Sequence, residues 1–427
     1  MQNRIVRPTT QFAGTPFIPG DKSISHRALI FSALSEGTSR IEGLLESADV
    51  QSTAKCLQQI GVEITKKNNF TEVQGRGGQG FKSPKEILDC GNSGTTLRLL
   101  MGLLAGQKNF SATLTGDASL LRRPMKRVAD PLRLMGAQLE LTNSDFAPLQ
   151  IFGADLKGID YELKIASAQI KTALILAALR AKGSTRLTGQ IQSRDHTERL
   201  LKALGVEIKT SSTEIEISGS QIIPASDKII PGDPSTAAFW LAGACLVPSS
   251  KIAMKNISLN PSRIGFIRIL QKMGAQIEIE ITHETPEPVG NIKLQSGGLK
   301  GVRIEPSEIP AMIDELPLLA VLATQAKGVT EVLGAEELRF KETDRIEAVA
   351  TNLRLMGANI ETRADGFLIE GPQKLRGAIL DSFHDHRIAM AFSMAALIAE
   401  GQSLIQNADC VAISYPDFFE TLESLTL

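Results

Sequence analysis

The stretch IRILQKMGAQIEIE, Ile267 to Glu280, carries the pattern that decides the fold. Ile267, Leu270 and Met273 fall three apart, the stripe of an amphipathic helix. After Gly274, Ile277 and Ile279 alternate with polar neighbours, as in a half-buried strand. Glycine tolerates positive φ and suits the position where a helix gives way to a strand. The phrase recurs as IGVEI at Ile60, MGAQLE at Met135, LGVEI at Leu204 and MGANIE at Met356. Successive glycines lie about 70–80 residues apart, a longer period than the ~20–50 residues of solenoid repeats. One or two helix–Gly–strand junctions are ordinary; five at similar spacing predict a repeated α+β unit.

A second set interleaves with the first. Six largely apolar stretches begin near Lys22, Asn92, Ser167, Pro234, Asp314 and Asp385: SISHRALIFSAL, GTTLRLLMGLLAG, AQIKTALILAAL, STAAFWLAGACL, ELPLLAVLATQA and HRIAMAFSMAAL. Helices that are apolar nearly all round belong inside a layer. The same three letters stand at Pro19-Gly20-Asp21 and Pro231-Gly232-Asp233. This restart predicts two similar halves of three repeats each, with the chain crossing between lobes near residues 20 and 232.

Composition narrows the class. The chain has 427 residues, 46 Lys+Arg against 47 Asp+Glu, and 42% apolar residues, enough for two or three domains with proper cores. Balanced charge argues against a nucleic-acid-coating protein, and 22% charged residues at this hydropathy against a disordered one. Aromatics are only 4%, so the core must be aliphatic. Cys56, Cys90, Cys245 and Cys410 form no CxxC pair and read neither as a disulfide framework nor as a zinc site. The opening MQNRIVRPTTQFAG lacks a signal-peptide apolar core. The run Ile388 to Ala399 is far short of the ~20 residues that span a bilayer. The expectation is a cytoplasmic protein that uses neither membrane nor nucleic acid.

The fronts of the apolar helices carry the chemistry. They read Asp21-Lys22-Ser23, Gly91-Asn92-Ser93-Gly94, Ser167-Ala168-Gln169, Pro234-Ser235-Thr236, Asp314-Glu315 and Asp385-His386-Arg387. A helix N-terminus offers unpaired N–H groups and partial positive charge, a ready anion site. Ser, Thr, Asn and Asp are also ordinary caps, so each front alone reads as capping. The lysines and arginines beside them tip the reading toward an anionic ligand. Lys22 and Arg27 in PGDKSISHR could flank an anion, although Asp21 stands where a Walker A loop needs glycine. Gly94 would let backbone approach a ligand, and GDASLLRRPMKR gathers Arg122, Arg123, Lys126 and Arg127. FKETDR supplies Lys341, Glu342 and Arg345, and HDHR supplies Arg387, whose forked guanidinium grips carboxylate or phosphate. Asp314 is a cap or a general base. Two histidines, His384 and His386, without a third ligand do not make a metal site. No nucleophile elbow, HExxH or Rossmann fingerprint occurs, so the pattern specifies anion binding with acid–base groups and no cofactor.

These motifs, in order along nearly the whole chain, resemble the 3-phosphoshikimate 1-carboxyvinyltransferase (EPSP synthase) family. PGDKSISHR, GNSGTTLR, GDASLLRRPM, SAQIKTALI, SRDHTE, IDELP, FKETDR, HDHRIAM and SYPDFF all have counterparts there. The resemblance implies an α+β fold of two lobes, each of three βαβαββ units with buried parallel helices, the inside-out barrel of enolpyruvyltransferases. Residues 21–232 would form the lobe for shikimate 3-phosphate. Residues 1–20 with 233–427 would form the lobe for phosphoenolpyruvate, with the active site in the cleft between. The reaction implied moves the enolpyruvyl group of phosphoenolpyruvate to the 5-hydroxyl of shikimate 3-phosphate. Carried over residue by residue, Lys22, Ser23, Arg27, Ser167, Ala168, Gln169, Ser193, Arg194, Asp314 and Lys341 hold shikimate 3-phosphate. Lys22, Gly94, Arg123, Gln169, Arg345 and Arg387 hold phosphoenolpyruvate. Lys22, Asp314, Lys341 and Glu342 are the expected catalytic groups, with Glu342 and Lys22 as acids and Asp314 as base, in a monomer.

Two rivals share the scaffold. A UDP-N-acetylglucosamine enolpyruvyltransferase uses a loop cysteine, and no cysteine lies between Cys90 and Cys245. A non-catalytic anion-binding module would not require Asp314, Lys341 and Glu342 together.

Overall fold

The structure, a computed structural model, describes residues 2–426. The chain divides into two compact units, one formed by Gly20–Ile230 and the other by the flanking segments up to Pro19 and from Pro231.

In the first unit the helices are α1 (Lys22–Leu34), α2 (Ala48–Gln59), α3 (Gly94–Ala105), α4 (Lys126–Leu134), α5 (Ala168–Ala178) and α6 (His196–Ala203). Odd and even members differ in kind. Nearly every residue of α1, α3 and α5 is buried, as their all-round apolar sequences require. On α2 only Asp49, Val50, Thr53, Cys56 and Leu57 are buried, the single face of an outer helix. The middle repeat shows the plan. Leu88–Asp89 leads into α3, and Ser111–Thr115 returns parallel to it. After α4, Gln138–Thr142 and Phe146–Phe152 complete the sheet as an antiparallel hairpin. The third repeat follows the same order from Asp160–Leu163. In the first repeat the leading strand, Lys228–Ile229, comes from the far end of the unit and pairs parallel with Thr38–Glu42.

The second unit holds α7 (Pro234–Leu246), α8 (Gly265–Lys272), α9 (Leu316–Ala323), α10 (Arg345–Leu355), α11 (His386–Ala396) and α12 (Phe418–Leu425). Here too α7, α9 and α11 are the buried helices, and they pack on one another. Two of its sheets have four strands and repeat the plan. The third departs from the expected unit. It has three strands, Ile379–Asp381, Ser403–Gln406 and Arg4–Val6, and the chain continues into α12 instead of a hairpin. The residues FFETLESL carry a helical apolar stripe, not an alternation, and Phe418 and Leu422 are buried. They finish the core around Trp240. Phe12 stacks at 6.5 Å and Phe418 at 5.2 Å from that ring, and Tyr415 meets it edge-on at 5.8 Å.

The five repeat glycines do what the sequence asks of them. Gly61, Gly136, Gly205, Gly274 and Gly357 follow α2, α4, α6, α8 and α10 and have φ of +93°, +103°, +74°, +101° and +86°. A side chain in that region is strained. Among the described residues no helix is long and apolar enough to cross a membrane.

Candidate active site

In the first unit the residues singled out by sequence lie at the fronts of α1, α3 and α5 and on the two loops that reach them. Asp21 caps α1, accepting from the Ile24 N–H at 2.8 Å. Behind it Lys22 Nζ is 3.1 Å from Asp49 Oδ2 at the start of α2. Arg194 Nη1 donates to Ser23 Oγ at 3.2 Å. Arg27 is 3% exposed and donates from Nε to Thr197 Oγ1, from Nη2 to Thr172 Oγ1 (both 2.8 Å) and from Nη1 to the Ser23 carbonyl (2.9 Å). It ties α1 to α5 and α6. The Ser193 hydroxyl is buried with no hydrogen-bond partner.

At the next front Ser93 caps α3 through the Thr96 N–H (3.1 Å). Arg123, drawn from the basic loop, is 8% exposed and donates to both oxygens of Asn92 (3.2 and 2.9 Å) and to Ser119 Oγ (3.0 Å). A Cβ on Gly94 would stand 3.2 Å from Arg98 Nη1 and 3.4 Å from Arg123 Nη1, so two guanidinium groups crowd this backbone. Ser167 caps α5 and Ala168 opens it. Gln169 is held at both ends of its amide. Its oxygen accepts a short bond from Arg98, and its nitrogen donates to Thr95 Oγ1 at 3.0 Å. Arg98 also donates to the Pro124 carbonyl at 3.2 Å, joining α3, Gln169 and the Arg123 loop.

Under these fronts runs a buried polar chain: His26 Nδ1 to Thr53 Oγ1 (2.7 Å), Thr53 to Thr96 (2.6 Å), and Thr96 to Ser93 (2.8 Å). Burial, then the charges of Lys22 and Arg27, hold the His26 imidazole well below the usual histidine range. It is neutral at physiological pH.

The second unit concentrates charge around one carboxylate. Asp314 lies in a single 3₁₀ turn, Ile313–Glu315, just ahead of α9. Lys341 Nζ is 3.4 Å, Arg345 Nη1 3.2 Å and Arg387 Nη2 3.8 Å from its oxygens. Arg345, 1% exposed, also pairs with Glu342 at 2.6 Å and with Asp385 at 2.8 Å. Burial opposes its charge, but Asp385, Glu342 and Asp314 outweigh burial and push its pKa above the ordinary arginine value. Arg387 donates to Glu315 Oε1 and to the Asp314 carbonyl, both at 3.1 Å, while its own N–H is capped by Asp385. The structure thus brings Asp314, Lys341, Glu342, Arg345 and Arg387 together.

Sequence reasoning missed Asp49, Arg98 and Lys171, and it missed Asp385 as the partner of Arg345. One signal was available: Arg98 and Lys171 are lone charges in helices otherwise apolar all round. In chemical terms, each unit offers fixed cations and helix N-termini suited to anions, and the second adds carboxylates able to move protons.

The architecture is that of the enolpyruvyl transferases. It matches the enolpyruvyl transferase NikO from Streptomyces tendae with a TM-score of 0.80 at 17% identity, covering 99% of this chain and 96% of that one, a likeness of fold alone. The family model described as EPSP synthase (3-phosphoshikimate 1-carboxyvinyltransferase) matches residues 6–422. The 3-phosphoshikimate 1-carboxyvinyltransferase of Bacillus cytotoxicus is 47% identical over 96% of this chain and 97% of its own length. That of Bacillus thuringiensis (strain Al Hakam) is 45% identical over the full length of both. The EPSP synthase structure from Acinetobacter baumannii superposes with a TM-score of 0.89 at 40% identity, covering 100% of this chain and 99% of that one. The chain belongs to the EPSP synthase family of enzymes. The rival family of UDP-N-acetylglucosamine enolpyruvyltransferases is not favoured.

Proposed function

We propose that the chain transfers the enolpyruvyl group of phosphoenolpyruvate to the 5-hydroxyl of shikimate 3-phosphate, releasing phosphate, as a cytoplasmic monomer in the pathway to chorismate and the aromatic amino acids. Shikimate 3-phosphate is held by Lys22, Ser23, Arg27, Ser167, Ala168, Gln169, Ser193, Arg194, Asp314 and Lys341. Phosphoenolpyruvate is held by Lys22, Gly94, Arg123, Gln169, Arg345 and Arg387. Both sets serve one reaction, because transfer requires the two substrates side by side. Two polyanions meet only where fixed positive charge and amide dipoles replace the water that would otherwise screen them.

The chemistry is an addition followed by an elimination. A proton is delivered to C3 of phosphoenolpyruvate, and the 5-oxygen bonds to C2 as its own proton leaves. C3 then loses a proton, the double bond re-forms, and the C2–O bond to phosphate breaks. Glu342 and Lys22 deliver and recover the proton at C3, and Asp314 takes the hydroxyl proton. Lys341, Arg345 and Arg387 balance the charge that develops beside them. Such general acid–base groups contribute about 10²–10⁴-fold each.

The observation that carries this reading is the meeting of Lys341, Arg345 and Arg387 at Asp314, with Glu342 bound to the same Arg345. A simple anion trap has no use for two carboxylates among its cations. Phosphate release measured with both substrates, and with each omitted in turn, tests it. Release only with both is expected, and release with phosphoenolpyruvate alone, or none at all, overturns it.

A further inference from the structure

We propose that the buried Lys171–Glu198 pair is a positioning device that fixes the loop 191–194 and so sets the affinity for shikimate 3-phosphate; this rests on the assignment of Ser193 and Arg194 to that substrate above.

Lys171 is the lone charge of α5 and is 1% exposed. Its ammonium has three N–H groups and finds three acceptors: Glu198 Oε1 at 2.7 Å, the Ile191 carbonyl at 3.1 Å and the Ser193 carbonyl at 3.3 Å. A buried ion pair is poor evidence of stability by itself, since well-packed apolar residues of similar volume often serve as well or better. A leucine or methionine at 171 would suit the helix. It could not hold two carbonyls of a loop.

The loop so held presents two groups. The Ser193 hydroxyl is buried without a partner, a state that is costly unless a ligand supplies the missing bond. Arg194 reaches forward to Ser23 Oγ at the front of α1. The neighbouring residues repeat the clamp. Thr172 of α5 meets Thr197 of α6 at 2.8 Å, and both accept from Arg27. Two consecutive residues on α5 therefore grip two on α6, with the loop running between. Ser193 and Arg194 are assigned above to shikimate 3-phosphate and not to phosphoenolpyruvate. The loop should accordingly govern one substrate and not the other.

The test uses the full-length protein and three variants: Lys171→Met with Glu198→Leu, which removes both charges and keeps apolar volume; Glu198→Gln, which keeps an acceptor for Lys171; and Ser193→Ala. Phosphate release is measured with each substrate varied, binding of shikimate 3-phosphate alone by calorimetry, and folding by thermal unfolding. Hydrogen bonds to a charged group are worth about 1.5–3 kcal/mol, so losing the grip on the loop should weaken shikimate 3-phosphate by about tenfold or more in Kd and KM. The KM for phosphoenolpyruvate stays at the wild-type value, and Glu198→Gln stays close to wild type in both. Ser193→Ala weakens the same substrate, and its effect is not additive with loss of the pair. A folded double variant with unchanged affinity for shikimate 3-phosphate makes the pair merely structural. An equal rise in both KM values reports general loosening and overturns the proposal as well. Wild-type protein that releases no phosphate would sink the functional assignment instead, while the calorimetry would still read the loop.

Discussion

Arg345 and Lys341 both pair with Asp314, yet they should respond very differently to truncation. Arg345 is 1% exposed, and its guanidinium bonds Asp385 at 2.8 and 3.3 Å, Glu342 at 2.6 Å and Asp314 at 3.2 Å. The Asp385 side chain is fully buried, so Arg345→Met strands a carboxylate that cannot reach water. Breaking one partner out of a buried pair costs about 3–5 kcal/mol. In a unit of this size each kcal/mol moves Tm by roughly 2–4 °C, so a fall of about 6–20 °C is expected. Lys341 is 28% exposed in its side chain and 3.4 Å from Asp314, a pair of the partly solvated kind. Lys341→Met should cost no more than about 1 kcal/mol, a shift of a few degrees at most. Both variants should lose turnover, because both cations face the same carboxylate. Differential scanning calorimetry with the phosphate-release assay separates the two effects. An Arg345→Met protein that melts with the wild type, or a Lys341→Met protein that melts as low as Arg345→Met, would refute the argument from burial.

Glu342→Gln should slow turnover by about 10²–10⁴-fold while shikimate 3-phosphate binding, read by calorimetry, persists; near-normal turnover ends its role in proton transfer. Lys228 lies half-buried with Nζ on Ser32 Oγ and the Ser226 carbonyl, and burial lowers its pKa from 10.5 to about 8. Between those values the folded protein binds fewer protons than the unfolded chain, so this group adds stability as pH rises from 8 to 10.5, about 3 kcal/mol in all. Urea unfolding of Lys228→Met should therefore lack that rise, and curves for variant and wild type that stay parallel across the window would count against it. Gly205→Ala meets no atom within 4 Å but must hold φ +74°, so its loss should be about 1–2 kcal/mol. Gly102→Ala would put Cβ 2.1 Å from the Ala173 carbonyl oxygen, where α3 touches α5, and should be the more damaging of the two by chemical denaturation. The reverse order would show that backbone conformation, not helix approach, is the tighter constraint.

How far a sequence announces such a molecule depends on the range of the interaction. The inner helices were legible because burial on all sides is written into consecutive residues, and the repeat glycines because one backbone angle admits little else. The last repeat closes by longer-range means: its helix is written in the motif, but its closing elements are α12 and a strand from Arg4–Val6, paired across almost the whole chain. At the candidate site, spacing pointed to helix fronts and to cations. It could not say which acid each cation meets. Lys22 finds Asp49, Arg345 finds Asp385, and Lys171 finds Glu198, each 27 or 40 residues away, on another element. Local composition does carry a trace of these pairings. Arg98 and Lys171 each interrupt a helix whose other residues are mostly buried apolar or small groups, and a charge in such a place must have a partner. Read that way, an isolated charge in an interior helix marks where the fold has tied its helices to a polar loop or a helix front. In the first unit those ties reach Gln169 and Ser193, both assigned to a substrate, which is why positioning and binding groups share the same few turns of α3 and α5.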